Sequence, residues 1–344
     1  MVNPRPSEKL LSRADLLTPA VIRAAATLCV ADHIAAGATT AAAVAERAGA
    51  RSDVMAALLR RMAELELLTA TDSGPEGEPH EQHFALTEAG DPLRSDHPIS
   101  VRQALRNDGM VGSGALSLLR LDHTVRTGEP AVAADGGNYW ERVNGEPEYV
   151  DEWAEQSRAL DQAQDQALHW DADSIVTAYD WSRVGSVVDA GGHLGVILMA
   201  LLRKHPHLRG TLVDLKNVSE QAGRRFAASD VADRAEAVVG SFFEPLPRAD
   251  VYLLSAILAD WSDADAVRIL ANCRSSAGAD GRILLAEVAM PTDSAAMELR
   301  MRSMMPAPSR SLPELEALGA AAGLRVTWRG PSTAVRTLLE FVPA

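Results

Sequence analysis

The stretch Val187-Val188-Asp189-Ala190-Gly191-Gly192-His193-Leu194-Gly195 decides how this chain of 344 residues folds. An apolar run ends at an acidic residue and then passes through three glycines. This order predicts a buried strand, a tight turn and the start of a helix, because glycine accepts the backbone angles of a tight turn. Glycine also lets backbone N–H groups approach a ligand, and a helix N-terminus adds positive partial charge there. We expect the turn to hold a ligand that is similar to a nucleotide.

The next predicted strand adds a second acidic residue. Gly210-Thr211-Leu212-Val213 ends at Asp214, the place where an acid accepts hydrogen bonds from ribose hydroxyls in dinucleotide-binding folds. The order D-x-G-G-x-x-G differs from the G-x-G-x-x-G that binds a pyrophosphate, and it suits a cofactor without a diphosphate. We therefore expect S-adenosylmethionine, or its product S-adenosylhomocysteine, as the cofactor.

Length and composition limit the class of protein. A chain of 344 residues with 47% hydrophobic residues predicts two domains, or one large one, with substantial cores. The formal net charge of -14 repels phosphate backbones, so we expect no nucleic-acid partner. Cys29 and Cys273 show no metal-ligand spacing, and we expect two reduced, buried thiols in a cytoplasmic protein without a bound metal. The polar start and the lack of about 18 consecutive apolar residues argue against secretion and membrane insertion.

The first part of the chain has the pattern of a winged helix. Apolar residues recur at helical spacing over 16–36, 39–50 and 53–68, which predicts a helix-turn-helix. Phe84-Ala85-Leu86-Thr87 follows a tip rich in glycine, proline and glutamate at 74–79 and predicts a β-wing. Such a unit binds DNA, forms a dimer or only packs. Mixed charges favour dimerisation here: Arg47, Arg51, Arg60 and Arg61 against Glu46, Asp53, Glu64 and Glu66.

Aromatic residues are concentrated between residues 100 and 181, in a chain that is only 4% aromatic. This stretch has helical periodicity and contains Tyr139, Trp140, Trp153, Trp170 and Trp181. The rings either line a pocket for a planar substrate or fill the junction between two domains. The sequence leaves both interpretations open.

After Trp181, predicted strands and helices alternate. The strands are predicted at 186–190, 210–214, 235–239, 251–255, 282–288, 325–328 and 337–342. Repeated βα units predict a parallel, doubly wound sheet that binds ligands at the carboxyl ends of its strands. The expected α/β architecture has a mostly helical winged-helix dimerisation domain at 1–99, a helical linker at 100–181 and a Rossmann-like seven-stranded domain at 182–344.

With these motifs, the chain resembles the dimeric S-adenosylmethionine-dependent O-methyltransferases of plant and actinobacterial secondary metabolism. The resemblance covers nearly the whole length: residues 28–68 resemble the dimerisation domain, and Thr127-Gly128-Glu129-Pro130 with Tyr139-Trp140 resembles the linker. Residues 185–215 resemble the cofactor-binding unit, and 250–269 with 281–288 resemble the strands of the active site. The resemblance implies a homodimer that methylates a hydroxyl group of an aromatic or polyketide-type small molecule.

Several positions depart from the family pattern at the expected site. His193 stands where the family usually has a third consecutive glycine. Gly240-Ser241-Phe242-Phe243 replaces G-D-F-F, and Ser255 stands where lysine is common. The H-D-W motif, whose histidine is the general base, is here Ala259-Asp260-Trp261. Ser309 replaces the acid before the pair Arg310-Ser311.

The motifs and the resemblance together assign the site residues. Cofactor binding is expected from Asp189, Gly191, Gly192, His193, Gly195, Asp214, Ser241, Phe242 and Ser255. The expected catalytic residues are Asp260, Glu287, which matches the second catalytic acid of the family, and His169 as a substitute base. The expected substrate pocket comprises Trp140, Trp153, Trp170, Ala259, Trp261, Met297 and Met301. Two readings stay open: His193 acts as an acid or base or only packs, and the methionines at 297, 301, 304 and 305 form core or an adaptable wall.

Loss of the family histidine leaves two enzyme functions open. A positioned base contributes about 10² to 10⁴-fold in rate, whereas orientation of two reactants is worth about 10⁵ M or more in effective molarity. Methyl transfer by proximity is therefore one hypothesis. In the other, the same fold catalyses decarboxylation, hydroxylation, cyclisation or rearrangement of a natural product. A winged-helix regulator that senses a small molecule fits the acidic charge less well.

Overall fold

A computed structural model describes the chain except residues 1–4, 74–80, 136–138, 140–143, 148, 152–171, 289–293, 308 and 334–335. The chain divides into two compact units, Met1–Leu116 and Ser117–Ala344. Four residues with predicted roles lie outside the described residues: Trp140, Trp153, His169 and Trp170. Their roles stay predictions.

The first unit is mostly helical. Its helices are α1 Pro6–Arg13, α2 Leu17–Thr27, α3 Val30–Ala35, α4 Ala41–Ala48, α5 Ser52–Glu64, α6 Arg102–Leu105 and α7 Met110–Leu116. The strands β1 Leu68–Ser73 and β2 Glu81–Leu86 pair antiparallel, and Thr40 adds an isolated bridge to His83. The pattern over 53–68 predicts a helix to residue 68, but α5 ends at Glu64 and Leu68 begins β1. Helices α4 and α5 with this hairpin have the expected helix-turn-helix and wing.

A break at Cys29 divides the predicted helix at 16–36 into α2 and α3. Cys29 has a φ of 51°, in the left-handed region that ends a helix. It is half-buried, and its sulfur accepts a hydrogen bond from Arg102 Nη2 at 3.0 Å. Cys273 in the second unit is buried, and burial raises the pKa of its thiol to about 12. Both cysteines are free, as expected, but the prediction of burial is right only for Cys273.

The second unit contains a seven-stranded sheet. Its helices are α8 Leu121–Thr127, α9 Ala172–Ala178, α10 Val196–Lys204, α11 Lys216–Ala227, α12 Asp263–Ala277, α13 Ala295–Arg302 and α14 Leu312–Ala321. Its strands are β3 Ser186–Ala190, β4 Arg209–Asp214, β5 Ala235–Val239, β6 Val251–Ser255, β7 Arg282–Val288, β8 Leu324–Arg329 and β9 Arg336–Pro343. The order in the sheet is β5-β4-β3-β6-β7-β9-β8. Each predicted strand is present to within one residue at either end.

The last two strands correct the prediction of a wholly parallel sheet. Strands β3 to β7 are parallel, whereas β9 runs antiparallel to both β7 and β8. Only six residues connect β8 to β9, too few for the crossover that a parallel connection needs. As a result, β9 begins where β7 ends, with Arg336 opposite Val288. The start of β9 therefore lies at the ligand-binding edge of the sheet.

Apolar side chains alternate between two faces of this sheet. One, termed the first face, carries Val187, Leu253 and Leu284 and packs against α9, α10 and α11. The second face carries Val188, Leu254 and Leu285 and packs against α12 and α14. A fully buried leucine contributes about 1.5–3 kcal/mol through removal of apolar surface from water. These two cores hold the carboxyl edge of the sheet in place.

Candidate functional site

The glycine turn after β3 has the backbone conformation that its sequence predicts. Gly191 has a φ of 79°, and its N–H donates to the carbonyl of Val213 on β4 at 2.8 Å. Gly195 has a φ of 72° and caps the N-terminus of α10. Both conformations lie in the left-handed region that glycine enters without a steric penalty. The turn therefore joins β3, β4 and α10 at the carboxyl edge of the sheet.

Asp189 lies over this turn with a buried carboxyl group. A Cβ atom at Gly192 would lie 2.3 Å from a carboxylate oxygen of Asp189, so only glycine leaves room for that group. Asp189 is 1% exposed, and within the described part of the chain neither oxygen has a hydrogen-bond partner. Burial, and then the nearby charge of Asp214, raises the pKa of Asp189 to about 7. A buried carboxylate without donors is suited to a ligand that brings a cation or N–H and O–H donors.

Asp214 faces the same turn from the end of β4. One of its oxygens accepts the N–H of His193 at 2.9 Å, and the other accepts the N–H of Leu215 at 2.7 Å. Burial raises the pKa of Asp214 to about 6, although these two N–H groups act in the opposite direction. The structure thus brings together the predicted residues Asp189, Gly191, Gly192, His193, Gly195 and Asp214. Two carboxyl groups border the turn.

His193 occupies a backbone conformation that favours glycine. Its φ is 53°, which costs an L-residue about 1–2 kcal/mol. The residue is partly exposed, but its Nε2 atom is buried, and burial lowers the pKa of the imidazole to about 4. The ring is therefore neutral at neutral pH. Its role as an acid or base stays a prediction.

Phe242 borders the glycine turn on another side. Its ring would lie 3.1 Å from a Cβ atom at Gly191, and Ile257 would lie 2.6 Å from the same atom. Phe242 packs edge to face against Trp261, with ring centroids 5.5 Å apart. Ser241 accepts the N–H of Phe243 at 3.2 Å and shapes the loop after β5. The prediction missed Ile257, because an isoleucine in an apolar run carries no sequence signal.

Glu287 at the end of β7 supports the turn that contains Ala259 and Asp260. Its two carboxylate oxygens accept the N–H groups of Leu258 and Val288, each at 2.9 Å. Burial raises the pKa of Glu287, while its hydrogen bonds and the nearby positive charges act in the opposite direction. Ala259 and Asp260 are buried in this turn. Glu287 and Asp260, both predicted as catalytic, thus lie at neighbouring strand ends.

Arg310 holds the same turn from its other side. The guanidinium donates to the carbonyls of Leu258 and Trp261 and to the carboxylate of Asp263. Its side chain is only 5% exposed. Arg310 of the Arg310-Ser311 pair noted in the sequence therefore fixes the backbone around Ala259, whereas Ser311 caps the N-terminus of α14.

Arg336 is a site residue that sequence reasoning missed. It is fully buried, and its Nη1 atom donates to Ser255 Oγ at 3.0 Å and to the carbonyl of Ala286 at 2.6 Å. A charged residue at the start of the apolar run Arg336-Thr337-Leu338-Leu339 was the available signal. In a wholly parallel sheet this residue would lie at the opposite edge, away from the site.

The predicted substrate residues differ in exposure. Met301 on α13 is buried, Met297 on the same helix is exposed, and Trp261 is half-buried. The carbonyl of Ala259 accepts the N–H of Ala307, which follows α13. This contact brings the chain after α13 to the turn of Ala259. Contact of these residues with a substrate stays a prediction.

A doubly wound sheet whose first strand ends in an acidic glycine turn, with a second acid at the end of the next strand, defines the class of Rossmann-like folds that bind nucleotide-like cofactors. The profile of the O-methyltransferase domain matches residues 121–323, and that of the O-methyltransferase dimerisation domain matches residues 14–95. The chain belongs to the O-methyltransferase family. The expected family, fold and cofactor are confirmed.

Curated relatives and solved structures agree with this membership. The chain is 41% identical to 2,7-dihydroxy-5-methyl-1-naphthoate 7-O-methyltransferase of Streptomyces carzinostaticus, over 92% of each chain. It is 36% identical to aclacinomycin 10-hydroxylase of Streptomyces purpurascens, over 96% of this chain and 87% of the other. It also matches the crystal structure of an O-methyltransferase from neocarzinostatin biosynthesis, in complex with S-adenosylhomocysteine and 1,4-dihydroxy-2-naphthoic acid. That match has a TM-score of 0.78 and 40% identity and covers 97% of this chain and 98% of the other.

Proposed function

We propose that this protein transfers a methyl group from S-adenosylmethionine to a hydroxyl group of an aromatic or polyketide-type natural product. The observation that carries the proposal is the buried carboxyl group of Asp189, which lacks partners within the described chain and lies over the glycine turn. A relative named as a naphthoate O-methyltransferase and a related structure in complex with a naphthoic acid support an aromatic substrate.

The residues present fit the cofactor. S-adenosylmethionine supplies an activated methyl group on a sulfonium sulfur, together with an ammonium group and ribose hydroxyls. Asp189 offers two acceptor oxygens without partners in the described chain, and Asp214 has further lone pairs beside the turn. Glycine at position 192 leaves the room that the Asp189 carboxyl group occupies. These residues would bind and orient the cofactor.

Asp260 is the candidate that orients the substrate hydroxyl. Ala259 cannot accept a proton, and Glu287 holds the backbone of the turn through the N–H groups of Leu258 and Val288. We infer that Glu287 positions the turn and that Asp260 faces the reacting hydroxyl. Methyl transfer then depends mainly on the alignment of the two reactants, which is worth about 10⁵ M or more in effective molarity.

The test is a methyl-transfer assay with S-adenosylmethionine and 1,4-dihydroxy-2-naphthoic acid, in which S-adenosylhomocysteine and the methylated product are measured by mass spectrometry. We expect both in equal amounts. Ala259→His should raise the rate about 10- to 100-fold, because a positioned base contributes at least that much. Ala259→Asn, of similar size and without a basic group, is the control. A histidine variant no faster than the asparagine variant contradicts the assignment of position 259.

A second function is favoured by one observation. A relative with 36% identity is named as a hydroxylase, although it shares this family. The alternative is a methyltransferase-fold enzyme that no longer methylates and instead catalyses hydroxylation, decarboxylation, cyclisation or rearrangement. Consumption of an aromatic substrate without formation of S-adenosylhomocysteine would favour it over methyl transfer.

We also propose that two copies of the chain form a homodimer through the first unit. Helix α1 buries none of its residues within that unit. Several large apolar side chains of the first unit are at least 60% exposed: Leu10, Leu11, Leu16, Leu17, Val54 and Ile99. Such a surface is typical of a protein interface. The functional parts would follow the division 1–99, 100–181 and 182–344.

Replacement of Leu11 and Leu17 by aspartate should convert the dimer to a monomer, because burial of two carboxylates in an apolar interface is unfavourable. Analytical ultracentrifugation measures the change in mass. Val239→Asp is the control, because this valine is 57% exposed on the edge strand β5 of the other unit. If the protein with both leucine substitutions is still a dimer, this surface is not the dimer interface.

Other partners stay predictions. The net charge of -14 supports the expectation of no nucleic-acid partner. Among the described residues, no helix combines the length and the apolar composition that crossing a bilayer requires. A cytoplasmic location also remains an expectation.

A further inference from the structure

Ser255 and Arg336 form a hydrogen-bonded pair at the carboxyl edge of the sheet. Arg336 Nη1 donates to Ser255 Oγ at 3.0 Å. Guanidinium N–H groups are donors only, whereas a hydroxyl group both accepts and donates. Ser255 must therefore accept from Arg336, and its own hydrogen is directed to another group. Among the described residues the structure shows no acceptor for that hydrogen.

The pair lies on the same face of the sheet as Asp189. Val251 and Leu253 on β6 belong to the core of the first face, and alternation places Ser255 there as well. Val187 on β3 places Asp189 on that face by the same rule. Strands β3 and β6 are neighbours, with Asp189 opposite Leu253. Glu287, by contrast, follows Leu285 in alternation and belongs to the second face.

A cation strengthens the hydroxyl as a donor. A hydroxyl that accepts a hydrogen bond from a charged group becomes a better donor, since hydrogen bonds in series polarise one another. Arg336 is fully buried and also donates to the carbonyl of Ala286, so its position is fixed by β7 as well as β6. Ser255 itself is half-buried rather than enclosed in the core.

We propose that Arg336 is a positioning residue that holds the Ser255 hydroxyl as a hydrogen-bond donor to the adenosyl cofactor. The acceptor is an oxygen or nitrogen atom of that cofactor, because Ser255 shares its face with Asp189. The proposal rests on the proposed use of this edge for S-adenosylmethionine. It adds a residue from the last strand to the cofactor site.

The test is calorimetric binding of S-adenosylhomocysteine to the full-length protein. Ser255→Ala and Arg336→Met should each weaken binding about 5- to 20-fold, since each removes the same charge-assisted hydrogen bond. The double variant should bind no more weakly than the weaker single variant, because the two residues act as one unit. Arg336→Lys keeps the charge and should recover part of the affinity.

Arg234→Met is the matched control for loss of a mostly buried arginine. Arg234 donates to the carbonyls of Leu202 and Leu208. Both leucines precede β4, so this contact lies at the edge of the sheet opposite to Ser255. This variant should lower the thermal midpoint without a change in Kd. If Arg336→Met does not fold, Kd is compared between Ser255→Ala and Ser255→Ala/Arg336→Lys. Equal values in these two variants indicate that Arg336 acts through Ser255.

Three outcomes overturn the proposal. Unchanged Kd in Ser255→Ala excludes the hydroxyl as a donor to the cofactor, and additive losses in the double variant exclude the coupling. Weaker binding of 1,4-dihydroxy-2-naphthoic acid alone, with Kd for the cofactor product unchanged, would assign the donor to the substrate instead. Failure of methyl transfer with the coupled Kd pattern intact would refute the proposed reaction and leave the role of Arg336 standing.

Discussion

Replacement of Asp189 by asparagine is expected to weaken S-adenosylhomocysteine binding at pH 8 by about 10- to 100-fold while making the protein more stable. The binding loss follows because asparagine cannot supply a charged acceptor, and a charge-assisted hydrogen bond contributes about 1.5–3 kcal/mol. The gain in stability follows because the carboxylate is buried without partners in the described chain. Calorimetry and urea unfolding measure the two effects.

The size of the stability gain in Asp189→Asn depends on pH. The folded-state pKa of Asp189 is raised to about 7, above its ordinary value of 3.8. The stability that the neutral Asp189 carboxyl group provides is fully present below about pH 4 and is lost as the pH rises through 7. Asparagine does not ionise, so its free energy of unfolding should exceed that of the wild type by about 2–4 kcal/mol at pH 8. Below about pH 4 the two proteins should be similar.

The same titration predicts that cofactor affinity rises between pH 6 and pH 8 in the wild type, as Asp189 ionises. This dependence should be much weaker in Asp189→Asn. The control is Asp250→Asn, because Asp250 accepts the N–H groups of Gly185 and Ser186 at the opposite end of β3. It should lower stability and leave affinity unchanged. An asparagine variant at position 189 with full affinity would exclude this carboxylate from the cofactor site.

Gly195→Ala is expected to destabilise the second unit by about 2–5 kcal/mol. The φ of 72° imposes a left-handed conformation on alanine, which costs about 1–2 kcal/mol. A Cβ atom there would also lie 2.4 Å from the ring of Phe226, and forced overpacking costs about 1–3 kcal/mol. Urea unfolding gives the change, and binding of S-adenosylhomocysteine should weaken as α10 shifts.

Gly128→Ala separates the two contributions. Gly128 has a φ of 78°, but a Cβ atom there would meet nothing within 4 Å. This variant should show only the backbone penalty, about 1–2 kcal/mol. Gly195→Ala combined with Phe226→Leu should be less destabilised than the sum of the two single changes, because the smaller side chain relieves the clash. If Gly195→Ala and Gly128→Ala lower the free energy of unfolding equally, the ring of Phe226 moves aside at no cost in free energy.

The cofactor turn could be predicted because its determinants are local. Asp189 and the glycines lie within seven residues, and a strand-turn-helix places them together whatever the rest of the chain does. Asp214 required only that β4 lie beside β3 and run parallel to it, which short βα units favour. The strained φ of His193 agrees with the expectation that this position suits glycine.

Other parts of the site could not be predicted, because they depend on contacts between distant segments. Glu287 reaches the N–H of Leu258 only because β6 and β7 are neighbours. Arg310 holds carbonyl groups that lie about 50 residues earlier in the chain. Carbonyl groups carry no sequence signal, so neither contact has a motif. The roles assigned to His169 and the linker tryptophans remain predictions.

By itself, the sequence determined the alternation of strands and helices, the glycine turn and the two acids beside it. Short-range sterics and hydrophobic periodicity are sufficient for these features. Only the tertiary structure decided the direction of β9, and with it the presence of Arg336 at the cofactor edge beside Ser255. A local pattern of apolar residues is the same in both strand directions. The direction of a strand therefore depends on how distant segments of the chain pair in the sheet.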